Sequence, residues 1–231
     1  MTNQVSETGK LYIVATPIGN LGDITLRALE TLKAVDFILC EDTRVTKKLL
    51  DHHGVKKPLI SYHQHSDGKK VEEIFGMLQE GKNLALVTDA GTPGISDPGN
   101  KLVSRLFEAK LQTVNIVPIP GPSAVTAIAS IAGFPMDKFV FLGFPPAKKG
   151  RKKFFEEVVS SPYPVVLYES PYRIIKTLNE LKTINYQLQT VVGRELTKKF
   201  ETVYRGTVVQ VLERMTKDQL KGEFVLVVRP A

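Results

Sequence analysis

The sequence contains one cysteine, Cys40. A disulfide framework or a cysteine-based zinc site needs more than one, so both are excluded, and a reducing cytoplasm suits such a chain. Also missing is any apolar run near the ~20 residues that span a bilayer, which excludes a membrane protein. The first ten residues, MTNQVSETGK, are polar and lack the hydrophobic stretch of a secretion signal. They are expected to form a loose tail. His52, His53, His63 and His65 lack a zinc spacing backed by cysteine or by H-E-x-x-H, which leaves a His63/Asp67 site as a minor alternative, and no metal is expected. No lysine sits in G-x-x-x-x-G-K-[ST], TPIGNLG misses the G-x-G-x-x-G spacing, and no G-x-S-x-G elbow occurs.

What is present is ordinary in bulk and uneven in detail. With 231 residues, 42% hydrophobic and 24% charged, the chain has enough material for one large domain or two modest ones. The net charge of +7 is not spread evenly. Residues 1–115 hold 14 basic and 14 acidic side chains, whereas residues 116–231 hold 17 and 10. The excess is densest at Lys148, Lys149, Arg151, Lys152 and Lys153. This asymmetry fits either a polyanionic partner or a solvated basic surface kept for solubility.

Apolar periodicity predicts alternating strands and helices. Strands are expected at Leu11–Ala15, Phe37–Cys40, Leu84–Val87 and Val114–Val117. Between them Asp23 or Thr25 caps a helix carrying Leu26, Leu29 and Leu32. Further helices present Val71, Ile74, Phe75 and Leu78, then Leu102, Val103 and Leu106 over 101–109. The first half is therefore α/β with a largely parallel sheet. The boundary is placed near residue 118, giving a tail (1–10), an N-terminal α/β domain (11–118) and a C-terminal α/β domain (119–231). In the latter, helices are expected at 123–132, 152–159, 172–181 and 208–215, with strands at 139–142, 164–168, 188–193, 201–205 and 223–228. Two of those strands are too close for a crossover, so the second sheet is expected to be mixed.

Two loops stand out. Asp89-Ala90-Gly91-Thr92-Pro93-Gly94-Ile95-Ser96-Asp97-Pro98-Gly99 joins a strand to a helix with three glycines and two prolines, where backbone can approach a ligand closely. In open α/β sheets ligands bind beyond the carboxyl ends of strands. A tight connector with Asp97 as a helix cap is the plainer alternative. Pro118-Ile119-Pro120-Gly121-Pro122-Ser123-Ala124 brings a hydroxyl and backbone N–H groups to a helix start, or is a stiff linker with a serine cap. Thr16–Gly22 is a third such loop.

The segments LYIVATPIGNLGDIT, CEDTR, VTDAGTPGISDPG, PIPGPSAV, GFPPAKKGRKK, YESPYRI, GRELTKKFET and GEFVLVV occur in this order. Together they resemble the bacterial 16S rRNA (cytidine-2′-O)-methyltransferase I family of the tetrapyrrole methylase superfamily, from about Leu11 to Val228. The resemblance implies two α/β domains with S-adenosyl-L-methionine bent into a cleft between them, usually in a homodimer, and methylation of a cytidine ribose 2′-hydroxyl in the small ribosomal subunit. Relatives of this kind often continue past the last strand with a small helical extension, whereas this chain ends at Ala231. Any RNA contact such an extension supplies is expected to be lacking.

By the same resemblance the cofactor lies against Pro17, the loop Asp89, Ala90, Gly91, Thr92 and Gly94, and Ser123 and Ala124. Tyr168, Leu196, Gly222 and Glu223 are expected on its adenine side. A sulfonium donor carries the hard chemistry, leaving the protein to bind, align and deprotonate. Glu41, Asp42, Glu169 and Glu195 are candidate bases, and Lys198 is another if burial lowers its pKa. Arg44, Arg194 and Lys198 are candidates to steer phosphate, and each of these groups has an ordinary salt bridge as its plainer alternative. Lys148, Lys149, Arg151, Lys152 and Lys153 are expected to meet RNA phosphates, with Tyr172 and Phe144 available to stack a base. Two other functions stay open: a tetrapyrrole carbon methyltransferase in the same fold, and a non-catalytic ribosome-assembly factor.

Overall fold

The computed structural model describes residues 8–63, 66, 68–97, 99–108 and 114–230. The chain divides into two compact units between Ser123 and Ala124.

The first unit holds strands β1 (Lys10–Val14), β2 (Phe37–Cys40), β3 (Leu59–Ser61), β4 (Leu84–Leu86) and β5 (Asn115–Ile119). All pair in parallel, in the order β3-β2-β4-β1-β5. Its helices are α1 (Leu26–Ala34), α2 (Thr43–His52), α3 (Gly68–Gln79) and α4 (Gly99–Glu108). Thr25, one of the two expected caps, accepts the Ala28 N–H at the start of α1. Alternate strand residues face opposite ways, so the sheet has two cores. Val14, Ile38, Cys40, Ala85 and Ile119 pack with Ala28 and Leu32 of α1 and Leu49 and Leu50 of α2. Leu11, Leu39, Leu84 and Leu86 pack with Ile74 and Leu78 of α3 and Leu102 and Leu106 of α4.

This two-sided arrangement follows from the strand order. The chain leaves β1 and β2 in one direction along the sheet and β3 and β4 in the other. Right-handed crossovers then put α1 and α2 on one face and α3 and α4 on the other. The connections part company beside β4, between β2 and β4 and between β4 and β1. In open α/β sheets such switch points, beyond the carboxyl ends of the strands, are where ligands bind.

The second unit contains α5 (Ala124–Ser130), β6 (Val140–Gly143), α6 (Arg151–Ser160), β7 (Val165–Glu169), α7 (Ile174–Ile184), β8 (Gln189–Arg194), β9 (Thr202–Thr207), α8 (Val208–Met215) and β10 (Phe224–Arg229). The sheet is mixed, as expected: β6 runs parallel to β7, while the β7–β10, β10–β8 and β8–β9 pairs are antiparallel. Phe155, Ile174, Leu178, Val208 and Met215 from α6, α7 and α8 bury one face, against Leu167, Val192, Tyr204 and Leu226. Thr207 opens α8 with a reciprocal capping box to Gln210.

One expectation needs correcting. The tail does not reach residue 10: Gly9 is buried with its N–H on the Leu78 carbonyl, and Lys10 opens β1. Residues 1–7 lie outside the described residues, as do Pro98 of the glycine-rich loop and residue 109 of the expected 101–109 helix. The sequence reading also passed over α2 and β3, whose apolar content is short and interrupted by charge.

Candidate active site

In the first unit, loops from four strands are laced together at the carboxyl edge of the sheet. Thr16, just after β1, is buried and exchanges backbone hydrogen bonds with Gly91 at 2.9 and 3.1 Å. Its hydroxyl donates to the Thr88 carbonyl at 2.9 Å. The Thr92 hydroxyl donates to the Pro122 carbonyl at 3.1 Å, tying the loop after β4 to the loop after β5. From β2 the contribution is the Asp42 N–H, which donates to Asp89 Oδ1 at 3.2 Å. Pro17, Asp89, Ala90, Gly91, Thr92 and Gly94 therefore all belong to the switch-point edge.

The glycine-rich loop is built for tight backbone geometry. Gly91 and Gly94 sit at φ +86° and +89°, where a side chain is strained. Asp97 Oδ1 accepts both the Gly94 and the Gly99 N–H at 2.7 Å. Asp97 thus does serve the start of α4, while also folding the loop back on itself. The Asp89 side chain stays exposed at the loop's front, with the Asp42 N–H on its carboxylate.

Glu41, Asp42 and Asp89 differ electrostatically although they are neighbours. Asp42 caps α2 through the Arg44 N–H at 2.8 Å and grips the Arg44 guanidinium through Nε and Nη2, the latter at 2.6 Å. These bonds hold the Asp42 carboxyl far below the usual range, so it stays ionised and occupied. Burial pushes Glu41 up, and the charges of Asp89 and Asp97 push it further, against an opposing pull from His63. Partial desolvation at the base of its exposed side chain also raises Asp89, with the Asp42 N–H pulling the other way. Glu41 further lines a small pocket with Tyr62, Thr88, Pro93 and Asp97. Of the carboxylates proposed as bases, Glu41 combines a raised pKa with a place beside that pocket. Among the described residues no group of three metal-ligating side chains is placed to hold an ion, and His65 and Asp67 lie outside them.

In the second unit, Glu195 and Lys198 form a closed knot with Glu223. Lys198 Nζ donates to Glu195 Oε1 at 3.0 Å and to Glu223 Oε2 at 2.9 Å, and the Glu223 N–H donates to Glu195 Oε1 at 2.9 Å. Burial alone would lower Lys198, but the hydrogen bonds and charges of Glu223 and Glu195 outweigh it and hold the ammonium above its ordinary value. Lys198 is therefore not a neutral base. Burial favours a neutral Glu195, yet the Glu223 N–H and Lys198 prevail and lower its pKa, so Glu195 is a committed anion and not a base poised to take a proton. Glu195 and Thr197 adopt left-handed backbone at φ +51° and +68°, and Leu196 between them is buried. Gly222 faces the same knot at φ +98°, where a Cβ would collide with the Glu195 carboxyl. Arg194 donates through Nε to the Lys221 carbonyl at 2.8 Å. The Tyr168 ring lies 5.0 Å from Phe141 and 5.4 Å from Phe144.

The basic run is smaller than its sequence suggests. Lys148, Lys149, Lys152 and Lys153 are exposed, but Arg151 is 5% exposed and belongs to the interior. Its Nε donates to Glu180 at 2.7 Å and its Nη2 to Thr177 Oγ1 at 2.6 Å. A buried guanidinium must be fully partnered, which removes it from the phosphate-binding set. Glu169 is corrected likewise: its side chain is fully buried between Arg173, Thr177 and the Ser170 N–H, leaving no face open to a substrate. Arg173, Thr177 and Glu180 were missed as members of this network. The i,i+4 spacing of Glu169 and Arg173 is the one signal that could have revealed them. Thr16 was missed as the residue that joins two loops, since a threonine after a strand carries no distinctive signal.

Comparison with known proteins places these features. A curated relative from Synechocystis, "Ribosomal RNA small subunit methyltransferase I", is 45% identical over 225 residues, covering 96% of this chain and 80% of the relative. Proteins of the same name from Escherichia coli O157:H7 and Thermotoga maritima are 46% and 43% identical, with 77% and 97% of their lengths covered. Among solved structures, a cobalamin biosynthetic cobalt precorrin-4 methyltransferase shares the fold at TM-score 0.66 and 21% identity, with 94% of each chain covered. The model of the tetrapyrrole (corrin/porphyrin) methylases matches residues 10–212, and with that match the chain belongs to this methyltransferase family.

Proposed function

We propose that this methyltransferase uses S-adenosyl-L-methionine to methylate the ribose 2′-hydroxyl of a cytidine in 16S rRNA of the small ribosomal subunit. The choice of RNA over a tetrapyrrole rests on relatives named for small-subunit rRNA, 43–46% identical over nearly the whole chain. A homodimer and a cytoplasmic location go with this reading. Among the described residues no helix is long and apolar enough to cross a membrane.

The first unit's switch-point edge suits the donor. The exposed Asp89 carboxylate matches an ammonium or ribose hydroxyls, and left-handed glycines at 91 and 94 keep side chains away from the loop's face. Pro17, Ala90, Thr92 and Ser123 complete that proposed surface in this unit. In the second unit, Tyr168, Leu196, Gly222 and Glu223 are proposed for the adenine. When bound, the cofactor supplies an electrophilic methyl carbon on a sulfonium whose departure leaves a neutral thioether.

Glu41 is the proposed general base. The 2′-hydroxyl is a weak nucleophile until its proton is drawn off, and a carboxylate with a raised pKa accepts that proton more readily than an ordinary one. Asp42 keeps Arg44 oriented at the start of α2, with the Arg44 side chain 85% exposed and able to meet a phosphate. Lys148, Lys149, Lys152 and Lys153 supply sequence-independent attraction to the RNA backbone, and Arg194 adds to it.

The deciding experiment incubates the protein with methyl-labelled donor and small subunits lacking the modification. Label recovered as 2′-O-methylcytidine is the expected result. Label taken up by a tetrapyrrole acceptor, or no binding of the donor at all, would replace this reading with one of the two alternatives.

A further inference from the structure

A chain of charged side chains in the second unit connects the interior to the lysine-bearing segment. At its centre is Glu169, the last residue of β7. Its Oε1 accepts the Ser170 N–H at 2.8 Å and forms an ion pair with Arg173, 2.9 Å from Nε, whose N–H donates to the Ser170 hydroxyl at 3.3 Å, while Oε2 accepts the Thr177 hydroxyl at 2.6 Å. Arg151 Nη2 reaches Thr177 and stands 3.8 Å from Glu169 Oε2. Each arginine also donates to a carbonyl outside the knot. Arg173 Nη1 donates to Pro145 at 3.0 Å, and Arg151 Nη1 donates to Pro146 at 2.9 Å.

Two adjacent carbonyls are thus pinned just ahead of Lys148 and Lys149, and Arg151 itself pins the start of α6, which carries Lys152 and Lys153. Gly150, at φ +83°, makes the turn between them. Proline at 145 and 146 fixes φ at both positions but leaves ψ, which the two hydrogen bonds hold. Arg173 also follows Tyr172, which is 95% exposed, and Pro145 follows Phe144, which is 52% exposed. One hydrogen bond therefore ties together the backbone that presents both aromatic rings. Buried ion networks are poor sources of net stability, because desolvation offsets their attraction. A network that ends on loop carbonyls has a different use.

We propose that the Glu169–Arg151–Arg173–Thr177 network is a positioning device that holds the Phe144–Lys153 segment in a preformed shape for a single-stranded stretch of RNA. Its arginines act through the Pro145 and Pro146 carbonyls and do not themselves touch RNA. Preorganisation removes an ordering cost from binding, so loosening the clamp weakens association while the lysines remain in place. The inference rests on the proposed RNA substrate.

The test uses Arg173→Lys, which keeps a positive charge beside Glu169 but lacks the planar fork that serves two acceptors. Fold is checked by thermal melting, and donor binding by calorimetry. Trypsin cleavage after Lys148 and Lys149 is expected to accelerate, and affinity for small-subunit RNA to fall roughly tenfold, the scale of one charge-assisted hydrogen bond. KM for RNA rises and kcat at saturating RNA stays near wild type, because uniform binding is what is lost. Combined with Lys148→Ala and Lys149→Ala, the losses multiply to less than their product. Unchanged trypsin cleavage, unchanged RNA affinity or fully multiplicative losses would overturn the inference. If Arg173→Lys fails to fold, Glu180→Gln, which loosens Arg151 from the partly exposed end of the network, takes its place with the same readouts. Lysine variants that bind RNA like wild type remove the RNA reading of this segment and the inference with it. Lysine variants that lose RNA while Arg173→Lys does not overturn the inference alone.

Discussion

The Asp42 N–H and the Asp89 carboxylate meet at 3.2 Å although 47 residues separate them. This bond fixes the start of α2 against the loop after β4, so the groups proposed to handle phosphate and proton share a frame with the group proposed to hold the donor. Asp89 has the exposed carboxylate on this loop, whereas Asp97 is consumed by two backbone N–H groups. Asp89→Ala is expected to weaken S-adenosyl-L-methionine binding by roughly 10–100-fold, the worth of one charged hydrogen bond. Calorimetry measures this, and the melting temperature should stay near wild type because the side chain is exposed. Binding within threefold of wild type would move the cofactor away from this loop.

Glu41 provides a pH signature. Its pKa is raised by burial, Asp89 and Asp97 above the ordinary value of 4.5. A base acts in its ionised form, so kcat/KM should rise with pH through that elevated value and level off above it. Its acid limb therefore lies on the alkaline side of 4.5. Glu41→Gln is expected to lose about 10²–10⁴-fold in kcat, with donor and RNA affinities retained. A limb at or below the ordinary value, or a variant within tenfold of wild-type kcat, would assign the proton to another group.

How much of this was readable beforehand depends on the kind of signal. The strand Phe37–Cys40 and the helix Val208–Met215 were expected with the bounds they have, because apolar period and flanking polar residues agree. The helix Thr43–His52 was missed because its buried stripe is only Thr46, Leu49 and Leu50, while Arg44, Lys47 and Lys48 occupy the exposed face. The glycine-rich loop was legible because left-handed backbone selects glycine locally. Arg151 was misjudged for the opposite reason: its charge is a local property, but its partners Glu180 and Thr177 lie 29 and 26 residues away. A basic run in sequence does not reveal which of its members turns inward.

The four exposed lysines predict a salt dependence. Each contact between a cation and a single-strand phosphate contributes about 0.7 to the slope of log K against log salt. Replacing Lys148, Lys149, Lys152 and Lys153 by alanine should flatten that slope by up to about 3 and weaken RNA binding most at low salt. Filter binding across a salt series gives both quantities. The donor's affinity should be unaffected, and a slope unchanged by all four substitutions would place the phosphate contacts elsewhere.

Gly222 tests the Glu195 knot. At φ +98° an added Cβ is strained and runs into the Glu195 carboxyl, and that carboxyl cannot swing aside freely because Lys198 and the Glu223 N–H both hold it. Gly222→Ala is therefore expected to cost about 1–3 kcal/mol, from backbone strain plus a weakened ion pair. The ion-pair share carries its own pH dependence. Glu195 has a folded-state pKa below its ordinary 4.5, so its stabilisation is present above 4.5 and is lost as pH falls through the folded value. Lys198 is raised above 10.5, so its share is complete below 10.5 and is lost as pH climbs through the folded value. Urea denaturation of wild type and Glu195→Gln should differ most between those limits, by about 1–2 kcal/mol. The two curves should converge in acid well below 4.5, where both proteins carry an uncharged side chain at position 195. A difference that persists undiminished there would mean that position 195 acts through packing and not through charge.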